Sequence, residues 1–158
     1  MRKLISYILL VAILFLTGCA TSTSTVTANF YYCSADPQYH TQTSVIQAEQ
    51  RKLDSDFSDL EGILQQYIAG PDSGKLISPF PAGTAIKAVQ PGKDVTVVVL
   101  TDHLGTLSGV ELMIACACLA TTILEISQSE AVHIRAENVL LNNQEFIAFT
   151  EQNLLSFY

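Results

Sequence analysis

The chain has 158 residues, with eight Lys and Arg against fifteen Asp and Glu and a formal net charge of −7. That length suits one domain. The acidic balance excludes nucleic acid and an anionic membrane face as direct partners, because both require clustered cations.

Arg2 and Lys3 open the chain, and an almost unbroken apolar run follows from Leu4 to Leu16. The run is too short for a comfortable bilayer span and has the layout of a secretory leader. Leu16-Thr17-Gly18-Cys19 resembles a bacterial lipobox. Small residues admit the peptidase, and the cysteine thiol takes a diacylglycerol through a thioether. Residues 1–18 are therefore expected to be a lipoprotein signal peptide and Cys19 the lipidated first residue; an ordinary signal peptide or an uncleaved anchor is the alternative. Burial contributes about 0.8 kcal/mol per CH₂, so two acyl chains hold stably. The expected place is the extracytoplasmic face of the cytoplasmic membrane. Loss of Arg2 and Lys3 makes the mature chain more acidic still. The run Thr21 to Thr27 is a hydroxyl-rich spacer, so residues 19–28 link the anchor to a domain over 29–158.

Asn29 to Cys33 is aromatic and β-prone, and Asp36-Pro37 breaks it before a loop through His40. From Thr43 to Lys52 the pattern fits neither a 3.6 nor a 2.0 period, so helix and strand both remain open. Phe57, Leu60, Leu64 and Tyr67 then lay an apolar stripe along a helix, widened by Ile63 and Ile68. Asp54 or Ser55 can cap it, and Asp56, Asp59 and Glu61 favour its first turns. Gly70 offers a left-handed stop and Pro71 forbids continuation. A stiff link with Pro79 and Pro81 leads to Gly83.

Thr84 to Val89 and Asp94 to Leu100 are strands joined by Gln90-Pro91-Gly92-Lys93, a hairpin signal. Val97-Val98-Val99 lacks alternation, which predicts cover on both faces. Thr101 to Thr106 is a loop. Ser108 and Glu111 have capping-box spacing and open a helix from Gly109 to about Ile126. This helix is apolar nearly all round, so it is buried on more than one side or meets a partner. Ala131 to Ala136 alternates as a strand with Val132 and Ile134 inward and His133 and Arg135 outward. Asn142-Asn143 suits a tight turn between Val139–Leu141 and Phe146–Phe149. The predicted class is α+β: a mixed sheet of about four or five strands with two helices packed on one face.

Reactive constellations are sparse. Asp102-His103 with Ser108 is the one candidate relay for a hydrolase, without a nucleophile elbow, and a solvated Asp-His pair is the simpler reading. No H-E-x-x-H, paired CxxC, Walker or dinucleotide glycine pattern occurs. Asp54, Asp56 and Asp59 lack the glycine and terminal glutamate of a Ca²⁺ loop, and helix capping explains them. Cys116 and Cys118 point about 200° apart on a helix, so they do not chelate one metal. Buried thiols and a disulfide from Cys33 to one of them both stay open. The expectation is no enzyme, no cofactor and no metal.

Two binding surfaces are candidates. The loop from Asp72 to Pro81 is stiff and loses little entropy on binding; Lys75, Leu76, Ile77 and Phe80 would make its contacts, unless Ile77 and Phe80 merely plug the sheet edge. Tyr31, Tyr32 and Tyr39 could stack on sugar rings if exposed, or serve as ordinary strand tyrosines.

Leu60, Leu64, Ala69-Gly70-Pro71, Pro81-Ala82-Gly83-Thr84 and Val97-Val98-Val99-Leu100 occur in the order and spacing of a known domain. Over residues 29–141 the chain resembles the GerMN domain of GerM-type sporulation and spore-germination lipoproteins and related envelope lipoproteins. The resemblance implies that Thr43 to Lys52 is a strand paired with the first. It implies a βαββαβ core similar to the ring-building motifs of secretion-system proteins. It also implies a Gram-positive, spore-forming host and a structural place in an envelope, sporulation or germination complex, with envelope proteins or a second copy as partners. One module is present where some members carry two. The alternative function is a lipoprotein that binds cell-wall glycan or a small ligand.

Overall fold

The computed structural model describes residues 26–35, 45–53 and 58–154. The leader, Cys19, Tyr39, His40 and the expected caps Asp54 and Ser55 lie outside the described residues.

Two strands form a long antiparallel ribbon, β1 (Val26–Ser34) and β2 (Ile46–Leu53), in register from Val26 opposite Leu53 to Cys33 opposite Ile46. A two-residue strand, β3 (Leu76–Ile77), adds to the other side of β1 with Cys33 opposite Ile77. Ala28, Phe30, Tyr32 and Ser34 are buried at period two, as a half-buried strand requires. Their partners across the ribbon are not apolar. Arg51, Glu49 and Gln47 stand opposite Ala28, Phe30 and Tyr32, which is why β2 shows neither period in sequence. The strand that the resemblance implies is what forms.

The second sheet is mixed, as expected, with four strands in the order β4-β5-β6-β7. β4 (Ile86–Gln90) and β5 (Val95–Leu100) make the hairpin across Pro91-Gly92. β6 (Ala131–Ala136) runs parallel to β5, and β7 (Ile147–Thr150) closes antiparallel on β6. Asn142 and Asn143 both adopt left-handed φ, 50° and 64°, and Leu141 and Gln144 exchange two hydrogen bonds of 2.9 Å around them. This is the two-residue turn of a type I′ hairpin, which asparagine tolerates well.

Helix α1 (Leu60–Ile68) buries Leu60, Ile63, Leu64 and Tyr67 and packs on β4. Its cap is Asp59, whose Oδ1 accepts from the Gly62 N–H at 2.9 Å. The sequence reading placed Asp59 inside the first turn; the helix starts later than the apolar stripe. Gly70 stops it at φ 102°.

Helix α2 (Gly109–Ser127) is long and apolar enough to cross a membrane by composition, yet it is the central element of the core. It borders β1 on one side and β6 and β7 on the other. Burial from both sheets explains its nearly uniform apolar surface. The Ser108–Glu111 capping box does not form. Ser108 stands at the cap position without a side-chain bond, and Gly109 takes φ 55°, which breaks the geometry that the box needs. The Gly109 N–H instead donates to Asn142 Oδ1 at 3.3 Å, so the terminal hairpin caps the helix. A last turn, α3 (Glu151–Leu154), buries Leu154.

Both sheets and both long helices share one apolar core, with Phe30, Tyr67, Leu100, Leu119, Ile134 and Phe149 among its members. β3 covers β1 only at Cys33 and Ser34. Beyond it, the Tyr31 N–H donates to Thr122 Oγ1 at 3.0 Å and the Tyr31 carbonyl accepts from Tyr67 Oη at 2.8 Å. Side chains from the two helices thus satisfy an edge that the sheet leaves open.

Candidate functional site at the loop between Gly70 and Gly83

Helix α1 ends on the inner face of the ribbon, and the chain that leaves it meets Glu49 and Arg51. Both side chains are largely shielded, at 11% and 13% exposure. The Arg51 Nε and Nη2 donate to Glu49 Oε2 at 2.9 and 2.7 Å, and Nη2 donates to the Gly70 carbonyl at 2.7 Å. Glu49 also accepts the backbone N–H groups of Asp72 and Ser73 at 3.1 and 2.7 Å. The guanidinium lies 5.1 Å from the Phe30 ring centre and 5.8 Å from that of Tyr32, close enough for cation–π attraction. Burial alone would raise the Glu49 carboxyl, but the donors from Asp72, Ser73 and Arg51 outweigh it and hold the group below its ordinary value.

Past this clasp the loop is pinned at short intervals. Leu76 N–H donates to the Ser73 carbonyl and Ala35 N–H to the Lys75 carbonyl, at 3.1 and 2.8 Å. Phe80 meets Tyr67 edge to face at 5.7 Å, and Tyr67 in turn stacks on Tyr32 at 4.9 Å. Thr84 N–H closes back on the Pro81 carbonyl at 3.1 Å. At Gly83, φ 89° and a His103 ring that would stand 2.8 Å from any Cβ both require glycine.

The structure splits the four predicted contact residues. Leu76 is 8% exposed and belongs to the core, and Phe80 is half-buried on Tyr67. Lys75 points outward, and Ile77 stays 50% exposed on the edge strand β3. Sequence reasoning missed Glu49 and Arg51. Their signal was the charged pair at alternate positions of a strand, where apolar residues would normally sit.

The other candidates fare differently. Tyr32 is not exposed: it is fully buried, donates from Oη to the Tyr67 carbonyl at 2.8 Å, and burial raises its phenol well above the ordinary value. Tyr31 is half-buried and donates to Glu125 Oε2 at 2.7 Å. No sugar platform forms from these two rings. His103 Nδ1 faces Asp102 Oδ1 at 3.2 Å with both side chains more than half exposed, and its Nε2 edge lies over Gly83. His133 stacks on Phe146 at 4.3 Å. Among the described residues no group of three His, Cys, Asp or Glu comes together as a metal would require. Cys33, Cys116 and Cys118 are free thiols.

Comparison with known proteins agrees with this architecture. The family model Germane, sporulation and spore germination, matches residues 29–141. The tandem GerMN domains of the sporulation protein GerM from Bacillus subtilis superpose with a TM-score of 0.62 at 11% identity, covering 85% of this chain and 48% of that one. The chain therefore spans about half of that structure. A candidate lipoprotein of Clostridium perfringens aligns over 84% of this chain and 92% of its own, at 17% identity and a TM-score of 0.48. No curated protein matches in sequence. With strand order, helix stop and family match in agreement, the chain belongs to the Germane family of sporulation and spore germination, the GerMN type.

Proposed function

We propose that this protein is an extracytoplasmic lipoprotein, held at the cytoplasmic membrane of a Gram-positive, spore-forming cell by a diacylglycerol on Cys19, that serves as a structural part of an envelope complex. The partner is an envelope protein or a second copy, docking on the edge formed by Lys75 and Ile77. The single observation behind the surface is Ile77: a large apolar side chain, half exposed, on an edge strand whose flanks are fixed by the Glu49–Arg51 clasp and by Phe80. A rigid apolar edge loses little entropy when covered. The lipobox supports the anchor and the family supports the process.

Site-specific photo-crosslinking at position 77 in intact membranes tests the surface. A discrete protein adduct, lost in Ile77→Asp with Lys75→Glu, is the expected result; adducts to lipid alone, or none, overturn it. Cys19→Ala should release the protein from the membrane fraction, and retention would overturn the anchor.

A further inference from the structure

Polar side chains run in file along the side of α2 that borders β1. Glu125 Oε1 accepts from Asn29 Nδ2 at 2.6 Å, and its Oε2 accepts from Tyr31 Oη at 2.7 Å. One turn back, Thr122 Oγ1 accepts the Tyr31 N–H at 3.0 Å and donates to the Cys118 carbonyl at 3.0 Å. A further turn back, Cys118 stands beside Cys33. Residues 118, 122 and 125 share one helix face, and 29, 31 and 33 share one strand face. The two files keep step, and the third rung is a pair of thiols.

We propose that Cys33 and Cys118 are a modification site: they exchange with a small soluble disulfide and close an intramolecular bond that ties β1 to α2. The two thiols are unequal. Cys33 is half-buried, and hydrogen bonding with Cys118 holds its thiol below the ordinary value. Cys118 is fully buried, and the same bond, reinforced by burial, raises it. Cys33 is the member of the pair that solvent reaches, so it is the attacking thiolate. It displaces one thiolate from the small disulfide and forms a mixed disulfide. Cys118 then loses its proton to the released thiolate and attacks the Cys33 sulfur, expelling the second half. Two protein thiols and one small disulfide become one protein disulfide and two small thiols. Cys116 takes no part. It is fully buried on the opposite side of the helix, and burial pushes its thiol up to about 12.

The full chain in detergent is equilibrated with oxidised and reduced glutathione, alkylated in denaturant, and mapped by peptide mass. A Cys33–Cys118 linked peptide with Cys116 alkylated is expected, together with a Tm about 10 °C above that of the reduced chain. Cys116→Ala should keep both effects, and Cys33→Ala, with its fold checked by circular dichroism, should lose both. A chain that stops at a Cys33–glutathione adduct, links Cys116, or keeps both thiols under full oxidation overturns the proposal.

Discussion

The Tyr67 hydroxyl, carried by α1, donates to the Tyr31 carbonyl at 2.8 Å and so closes a strand edge from a helix. The Tyr67 ring also meets Phe30 edge to face at 5.5 Å, stacks on Tyr32 and supports Phe80. Burial, the chief cause, raises its phenol far above the ordinary value, so it acts as a neutral donor. Tyr67→Phe keeps the rings and removes this hydroxyl donor from the part-buried Tyr31 carbonyl. A loss of about 1–2 kcal/mol in urea unfolding is expected. Tyr67→Ala removes the rings as well and should cost about 3–5 kcal/mol.

Glu49 makes stability depend on pH. Its carboxyl is lowered in the folded chain, so its contribution is complete above the ordinary value near 4.5 and disappears as pH falls through the folded value. Thermal melts from pH 7 to pH 3 should therefore show an extra loss of stability in the acid limb. Glu49→Gln should remove about 2 kcal/mol at pH 7 by leaving Arg51 and two backbone donors poorly matched, and should flatten that limb. An unchanged acid limb would contradict the assignment.

Leu76 and Ile77 are adjacent yet face opposite ways. Leu76→Ala should cost about 2–3 kcal/mol, because its side chain is in the core. Ile77→Asp should stay within about 0.5 kcal/mol of the parent, since half of Ile77 already meets solvent. Equal destabilisation by the two, measured in urea, would mean that β3 is not a two-sided edge.

Asn143 sits at φ 64° in the turn that also carries the α2 cap Asn142. Asn143→Gly should be neutral or slightly stabilising. Asn143→Val forces a β-branched side chain into left-handed backbone and should cost about 1–2 kcal/mol. Proteolysis within 137–146 should rise in that variant.

Thr84 Oγ1 is buried without a hydrogen-bond partner where the loop meets β4. Thr84→Val replaces the orphan hydroxyl by a methyl of similar size. A gain of about 1 kcal/mol is expected in thermal or urea unfolding; a loss would reveal a partner for the hydroxyl.

The sequence by itself determined the elements whose causes are local. Gly70 with Pro71 stops α1, Pro91-Gly92 turns the hairpin, Asn142-Asn143 adopts left-handed backbone, and Val132 with Ile134 points inward. Those choices follow from backbone sterics and from periods of 2.0 and 3.6, which a short window contains. Tertiary structure decided what depends on distant partners. It divided the strands between two sheets, set α2 between them, and put the charged Glu49 and Arg51 on the shielded face of the ribbon. It gave the α2 cap to Asn142 in place of Ser108. Each depends on a partner far along the chain, which no short window of sequence contains.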